Sequence, residues 1–165
     1  MRTTPTTPSV SSDLLREICG EWVTGVCVVT GTDAVGTATG MAVNSFSSLS
    51  LDPPLVLFCA ARSSWTWPVL REAGRFAVNI LAADQHHYPA QFARRGADRF
   101  ERVAFDLLDG LPVLRRTTAH LRCTLVGVLD GGDHEIAVGR VDAADRSGRP
   151  PLVYHRGRVD RSARP

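Results

Sequence analysis

Hydrophobic positions along the chain change period several times, and the changes predict its elements. Leu14, Leu15 and Ile18 recur at helical spacing behind a candidate N-cap, Ser12, which predicts a short amphipathic helix running to about Gly20. Val23 to Thr30 is β-branched and nearly continuous, as in a strand buried on both faces. Gly31, Asp33 and Gly36 mark a turn. Residues 37–44 and 55–60 predict two further strands, broken by Asp52-Pro53-Pro54. A short helix is expected over Trp65–Ala73, ended by Gly74, then a strand over Phe76–Leu81 and a helix over Asp84–Arg94 that Pro89 delays or kinks. Residues 106–114 are short and turn-rich.

The sharpest alternation follows. Leu121, Cys123, Leu125, Gly127 and Leu129 interleave with His120, Arg122, Thr124, Val126 and Val128. Asp130-Gly131-Gly132-Asp133 turns the chain and Ile136–Val141 returns, a long antiparallel hairpin. Ser147–Pro151 reads as a loop and Leu152–Tyr154 as a last strand. Residues 1–12, rich in Thr, Pro and Ser, have no apolar period and predict a flexible tail, with a second short tail at 161–165. Between them one domain is expected, over 13–160. Short strands, close turns and few short helices predict a mainly β fold, an antiparallel barrel closed or nearly so. A doubly wound sheet is disfavoured, because long helices do not alternate with the strands and GxGxxG is missing.

Composition narrows the function classes. The chain has 165 residues, 44% of them hydrophobic and 22% charged, with a net charge of +2, which suits one folded domain. Its 19 basic residues are spread among 17 acidic ones, so no nucleic-acid partner is expected. All 19 are Arg. Without Lys there is no Schiff-base chemistry and no P-loop, although Gly31-x4-Gly36-Thr37 resembles one superficially. Cys19, Cys27, Cys59 and Cys123 form no CxxC pair and sit in apolar settings, which predicts free buried thiols in a reducing compartment. Neither a signal-type h-region nor a run of 18 apolar residues occurs, so a soluble cytoplasmic protein without membrane contact is expected.

Two hydroxyl clusters carry the candidate chemistry. Asn44-Ser45-Phe46-Ser47-Ser48-Leu49-Ser50 sets four serines and an amide around one Phe, directly after an apolar strand. Such a run can offer hydroxyls and N–H groups to an oxygen-rich ligand, or it can be a polar edge strand. Arg62-Ser63-Ser64-Trp65-Thr66 opens a helix, where N–H groups, hydroxyls and Arg suit an anion, or where Ser63 or Ser64 simply caps. His86 and His87 are neighbours whose side chains diverge, and His120 starts a strand. His134 and His155 follow turn and strand ends, where an imidazole can donate to a ligand or move a proton. HExxH, zinc-type spacing and GxSxG are absent, so no metal site and no hydrolase is predicted.

Read in order, these segments resemble the flavin reductase family of the FMN-binding split barrel. The likeness runs over about residues 14–158. It is carried by Trp22–Thr30, by Gly40-Met41-Ala42-Val43-Asn44-Ser45-Phe46-Ser47-Ser48-Leu49-Ser50-Leu51-Asp52-Pro53-Pro54, and by Arg62–Thr66. Gly74–Leu81, Asp98-Arg99-Phe100, Gly132-Asp133-His134 and Pro151–Gly157 complete it. Ala42 stands where the family often has Thr, Arg99 where Lys is usual, and Val159 where an aromatic is common.

The resemblance implies a homodimer of six-stranded Greek-key barrels with flavin near the subunit interface. It places the isoalloxazine against Ala42, Val43, Asn44 and Ser45. Ser47, Ser50, Ser63 and Thr66 would face the ribityl chain or phosphate, with Arg99 and Phe100 near the phosphate end. Asp133 and His134 belong to a motif similar to that associated with nicotinamide coenzymes, and His155 lies in the C-terminal motif. His134 and His155 are therefore the candidate catalytic pair, for binding the nicotinamide or relaying a proton. The implied activity is NAD(P)H-dependent reduction of FMN or FAD, with reduced flavin passed to a partner monooxygenase. The alternatives are a flavoenzyme that retains its flavin and acts on an organic substrate, and a non-enzymatic flavin-binding module. Nothing in the residues separates FMN from FAD or NADH from NADPH.

Overall fold

The computed structural model describes residues 10–95 and 98–160. In chain order the elements are α1 (Ser12–Gly20), β1 (Thr24–Gly25), β2 (Cys27–Thr32), β3 (Ala38–Val43), β4 (Ser47–Leu51) and β5 (Pro54–Ala61). Then come α2 (Trp67–Ala73), β6 (Arg75–Ile80), a 3-10 turn (Ala83–Gln85), α3 (Tyr88–Ala93), β7 (Phe105–Leu108) and β8 (Leu111–Leu114). The long pair β9 (Ala119–Gly131) and β10 (His134–Arg146) precedes β11 (Val153–His155) and β12 (Arg158–Asp160).

The main sheet is antiparallel, with seven strands in the order β3-β2-β6-β9-β10-β5-β4. Its two outermost strands, β3 and β4, are consecutive in the chain and joined by only Asn44, Ser45 and Phe46. Three residues cannot span the width of an open seven-stranded sheet at under about 3.6 Å each. The sheet therefore curls until β3 and the connector after it come against β5, and the barrel closes with a seam there. Ser45 stitches that seam: its Oγ accepts from Cys59 N–H at 2.9 Å and donates to Cys59 C=O at 3.2 Å, replacing a missing rung of the ladder.

The mainly β class follows the sequence expectation, with seven strands in this sheet rather than six. The difference is Ser47–Leu51, which takes the polar-edge-strand alternative and pairs with β5 across a bulge at Ser48/Ser50. The expected Val23–Thr30 strand is divided into the two-residue β1 and β2. Three more short strands escape the periodicity reading. β7 and β8 occupy the turn-rich 105–114 stretch as a small hairpin. β12 pairs with β11. The helix expected over 84–94 is split into the 3-10 turn and α3, with Pro89 in the first turn of α3, where its missing N–H costs nothing. The α1 cap is Ser11, whose Oγ accepts from Leu14 N–H at 3.2 Å, one residue before the expected Ser12. The N-terminal tail otherwise lies outside the described residues, as does 161–165.

β2 shows why a continuous apolar run was needed. Cys27 and Val29 face the barrel interior with Phe58, Phe76 and Val78. Val26 and Val28 face outward, under a second cluster of Leu81, Tyr88, Phe92 and Leu114. Both faces are covered, so alternation is lost. Inside, Phe58 meets Trp67 and Phe76 edge-on at centroid distances of 5.6 and 5.3 Å. Asn79 is fully buried and pins the outer layer: its amide donates to Val28 C=O and Thr30 Oγ1 and accepts from Leu114 N–H. Cys27 and Cys123 are buried thiols pushed up to about 12 by desolvation, so they stay protonated. Cys59 is only half-buried and Cys19 is exposed on α1, which corrects the expectation of four buried thiols.

Candidate functional site

The seam opens into a cleft of about 320 Å³. Its floor is the end of β3 and the connector after it: Met41, Ala42, Val43, Asn44 and Ser45. Cys59 and Ala61 of β5 form one wall. Ser63, Ser64 and Trp65 form the lip before α2. Phe92 and Ala93 of α3, then Arg95 and Arg99, close the opposite side, and His134 sits at the turn of the β9–β10 hairpin. A second groove of about 390 Å³ shares Trp65 and Arg99 with the first and continues past Thr66 and Phe100 along Thr37–Gly40.

The two hydroxyl clusters are partly spent on the fold. Ser45 is committed to the seam. Ser64 Oγ accepts from the N–H groups of Thr66 and Trp67, the capping alternative, and donates to Met41 Sδ. Ser63 is exposed at the lip and makes no hydrogen bond among the described residues. Arg62 is not an anion ligand. Its Nε donates to Gly132 C=O at 2.9 Å, Nη1 to Glu135 and Nη2 to Asp130, while its backbone N–H donates to Asp133 C=O. Arg62 thus holds the hairpin turn, and His134 with it, against the lip. Glu135 beside it also accepts from Trp67 Nε1 at 2.6 Å and from Arg71. These donors, Trp67 first, hold its carboxyl below the usual value of 4.5.

Arg99 has a different role. Nη1 donates to Gly40 C=O at 2.8 Å and to Thr66 Oγ1, and Nε donates to Arg94 C=O. Thr66 itself is buried. No carboxylate pairs with Arg99 or Arg95 among the described residues, whereas Arg62, Arg71, Arg115, Arg116 and Arg156 all have partners. Burial lowers the Arg99 pKa, the mark of a desolvated charge without a counter-ion. Two unpaired guanidiniums beside a neutral, partly apolar floor suit a flat polar ring carrying a phosphate.

Of the residues expected at the site, the cleft gathers Ala42, Val43, Asn44, Ser45, Ser63, Arg99 and His134. Thr66 and Phe100 fall in the adjoining groove. Asp133 stands one bond back, its Oδ1 2.7 Å from His134 Nδ1, which leaves Nε2 as the ring's other polar atom. Ser47 and Ser50 lie on β4 and line neither cavity. His155 lines a separate cavity with Arg156, Arg158 and Val159, none of which touches the cleft. A chain-order reading could not see that β11 leaves the barrel. Trp65, Phe92 and Arg95 were not singled out as site residues. Trp65 carried a signal, a large aromatic inside a hydroxyl cluster. Phe92 and Arg95 reach the cleft only through the placement of α3. A cavity of about 550 Å³ between α1 and Arg156–Gly157 is lined by charged side chains, among which Glu21 and Arg156 already form a two-bond pair.

A barrel split along one seam, with a neutral floor and guanidiniums at the rim that have no carboxylate partner among the described residues, defines a split-barrel protein with a cleft suited to a phosphate-bearing ligand. Residues 19–163 match the flavin reductase like domain, and the chain belongs to that family. It is 44% identical over 144 residues to a probable flavin reductase of Rhizobium meliloti (strain 1021), covering 87% of this chain but 46% of that relative, about half its length. It is 40% identical over 144 residues to the flavin-dependent monooxygenase reductase subunit HsaB of Rhodococcus jostii (strain RHA1), covering 86% of this chain and 73% of HsaB. Among solved structures it is similar to the Streptomyces globisporus C-1027 NADH:FAD oxidoreductase SgcE6 in complex with NAD and FAD fragments. That match has a TM-score of 0.85 and 36% identity, over 90% of each chain.

Proposed function

We propose that the protein is an NAD(P)H:flavin oxidoreductase that reduces FMN or FAD and supplies the reduced flavin to a partner monooxygenase. The observation that carries this reading is the seam cleft, with its uncharged floor of Met41–Ser45 and with Arg95 and Arg99, which have no carboxylate partner among the described residues. Hydride transfer between nicotinamide C4 and flavin N5 is supplied by the two coenzymes, so the protein needs no nucleophile or metal. Among the described residues no group of three His, Cys, Asp or Glu side chains is placed to hold a metal ion.

The chain's own residues bind and orient. The β3 end and its connector, fixed by Ser45, present a rigid floor for the ring. Ser63 and the two guanidiniums receive the ribityl and phosphate oxygens. His134, held through Asp133 and the Arg62 clasp, faces the nicotinamide side. Stacking two planar rings at about 3–3.5 Å is the whole catalytic demand, and rigidity of this frame meets it. His155 would contribute only if a second chain brought it near.

A homodimer of the 13–160 domain accords with α1, where Leu14, Leu15 and Ile18 follow helical spacing yet no residue is buried. No helix of the described residues is long and apolar enough to cross a membrane, and a cytoplasmic location accords with four free thiols. The test is NAD(P)H-dependent loss of 340-nm absorbance with added FMN or FAD, on protein whose mass is measured by light scattering. Turnover above the free-solution rate from a dimer is expected. No turnover, with flavin retained through desalting, would transfer the case to a flavoenzyme of other substrate.

A further inference from the structure

We infer that Glu135 is a positioning residue for hydride transfer: its one carboxylate holds both ends of the lip before α2 and the β9–β10 turn as a single body, and so sets how the two coenzymes stack. This rests on the reading of the seam cleft as the flavin site, with the nicotinamide on the His134 side.

The lip residues that line the cleft, Ser63, Ser64 and Trp65, are flanked by Arg62 and Trp67. Both flanking side chains end on Glu135. Arg62 Nη1 donates to Oε1 at 2.9 Å, and Trp67 Nε1 donates to Oε2 at 2.6 Å. The carboxylate is therefore a strut across the base of the lip. Arg71 lies on the same face of α2 as Trp67, one turn on, and Nη1 donates to Oε2 at 3.1 Å as a third hold. With the Glu135 side chain only 13% exposed, these charge-assisted bonds are shielded more than those of a surface pair.

The strut is rooted in the barrel at one end. Trp67 is buried, and its ring meets Phe58 edge-on at 5.6 Å. At the other end Glu135 follows His134 in β10, where successive side chains point to opposite faces. Glu135 stands opposite Ala60 of β5, which is fully buried, whereas His134 stands opposite Ala61, which lines the cleft with it. Turning Glu135 toward α2 thus turns His134 toward the cleft. Flavin-side lip and nicotinamide-side turn share one anchor. A misplacement of about 1 Å in stacked reactants can cost about a hundredfold in rate, so an anchor common to both sides acts on the chemical step.

The competing account is that Glu135 only stabilises the fold. Asp84 supplies the comparison: it accepts from Arg116 at 2.9 Å and from Arg149 at 2.6 Å, yet it lines neither the cleft nor the adjoining groove.

The experiment is stopped-flow reduction of FMN bound to the full chain by NADH, both saturating, well below the Tm of every variant. The charge-transfer absorbance of the stacked rings, the FMN dissociation constant and Tm are read alongside. Glu135→Gln, which leaves one acceptor oxygen for three donors, should slow reduction by about tenfold or more and weaken the charge-transfer band, with FMN affinity changed by less than about threefold. Trp67→Phe removes the N–H and keeps the aromatic packing; it should slow reduction by about three- to tenfold. Arg71→Met and Asp84→Asn should lower Tm and keep the rate within about twofold of wild type. Wild-type rates in both Glu135→Gln and Trp67→Phe overturn the inference. So does an Asp84→Asn protein slowed as much as Glu135→Gln, which would make the effect one of general loosening. If NADH reduces no flavin on the wild-type protein, the proposed function itself falls and the inference with it, a result distinct from reduction that proceeds without regard to residue 135.

Discussion

Thr66→Val isolates the contact that holds the Arg99 guanidinium, the charge we propose faces the flavin phosphate. Valine has nearly the shape of threonine, so the buried position stays filled and only the hydroxyl goes. That hydroxyl accepts from Arg99 Nη1 and lies 3.5 Å from Gly40 C=O. Hydrogen bonds to charged groups are worth about 1.5–3 kcal/mol. Arg99 is half-buried, and Nη1 keeps its 2.8 Å bond to Gly40 C=O, so solvent screening takes the value below that range and about 1 kcal/mol is expected. For a chain of this size that is a fall in Tm of about 2–4 °C. The larger effect is on binding. With one of its acceptors gone, the guanidinium samples more rotamers, and ordering it again on the ligand phosphate should weaken FMN binding by about three- to tenfold. Thermal denaturation and flavin fluorescence titration read the two effects, and Thr66→Ser, which keeps the hydroxyl, should restore binding. A Thr66→Val protein with wild-type affinity for FMN would refute the claim that Thr66 orients Arg99 for phosphate.

Other perturbations test other parts of the frame. Arg62→Met should raise KM for NADH several-fold and leave the FMN dissociation constant within twofold, because the clasp holds the 130–134 turn and not the floor; equal losses in both would contradict that division. Gly139→Ala places a Cβ 2.5 Å from Phe76 Cζ in the packed barrel interior, and overpacking of this kind should cost about 1–3 kcal/mol, measurable by urea denaturation. Glu135 is ionised at a lower pH in the folded protein than in the unfolded chain. Its stabilising contribution is therefore complete above about 4.5 and lost as pH falls through the depressed folded value. Glu135→Gln should flatten the acid limb of a Tm-against-pH curve between pH 6 and 3, and an unchanged limb would show that the Trp67–Glu135–Arg71 cluster carries no linkage.

Sequence alone determined whatever depends on local pattern or on residues near one another in the chain. The β9–β10 hairpin was legible because its alternation and its Gly-Gly turn are local, and the paired strands place His134 beside that turn. The ordered motifs located the floor at Ala42–Ser45. The two serine clusters could not be resolved into ligand and structural roles, because Ser45 and Ser64 differ from Ser63 only in what lies across the seam or at the next helix turn. Likewise Arg62 and Arg99 are the same residue type in similar polar surroundings. Tertiary contacts decided that one is spent on Asp130, Glu135 and Gly132, while the other has no carboxylate partner among the described residues. Barrel closure is the physical reason. It brings β3, β5, the lip before α2, Arg95 and Arg99 to one opening, through hydrogen bonds between residues up to about 70 positions apart. Periodicity carries no record of such distances.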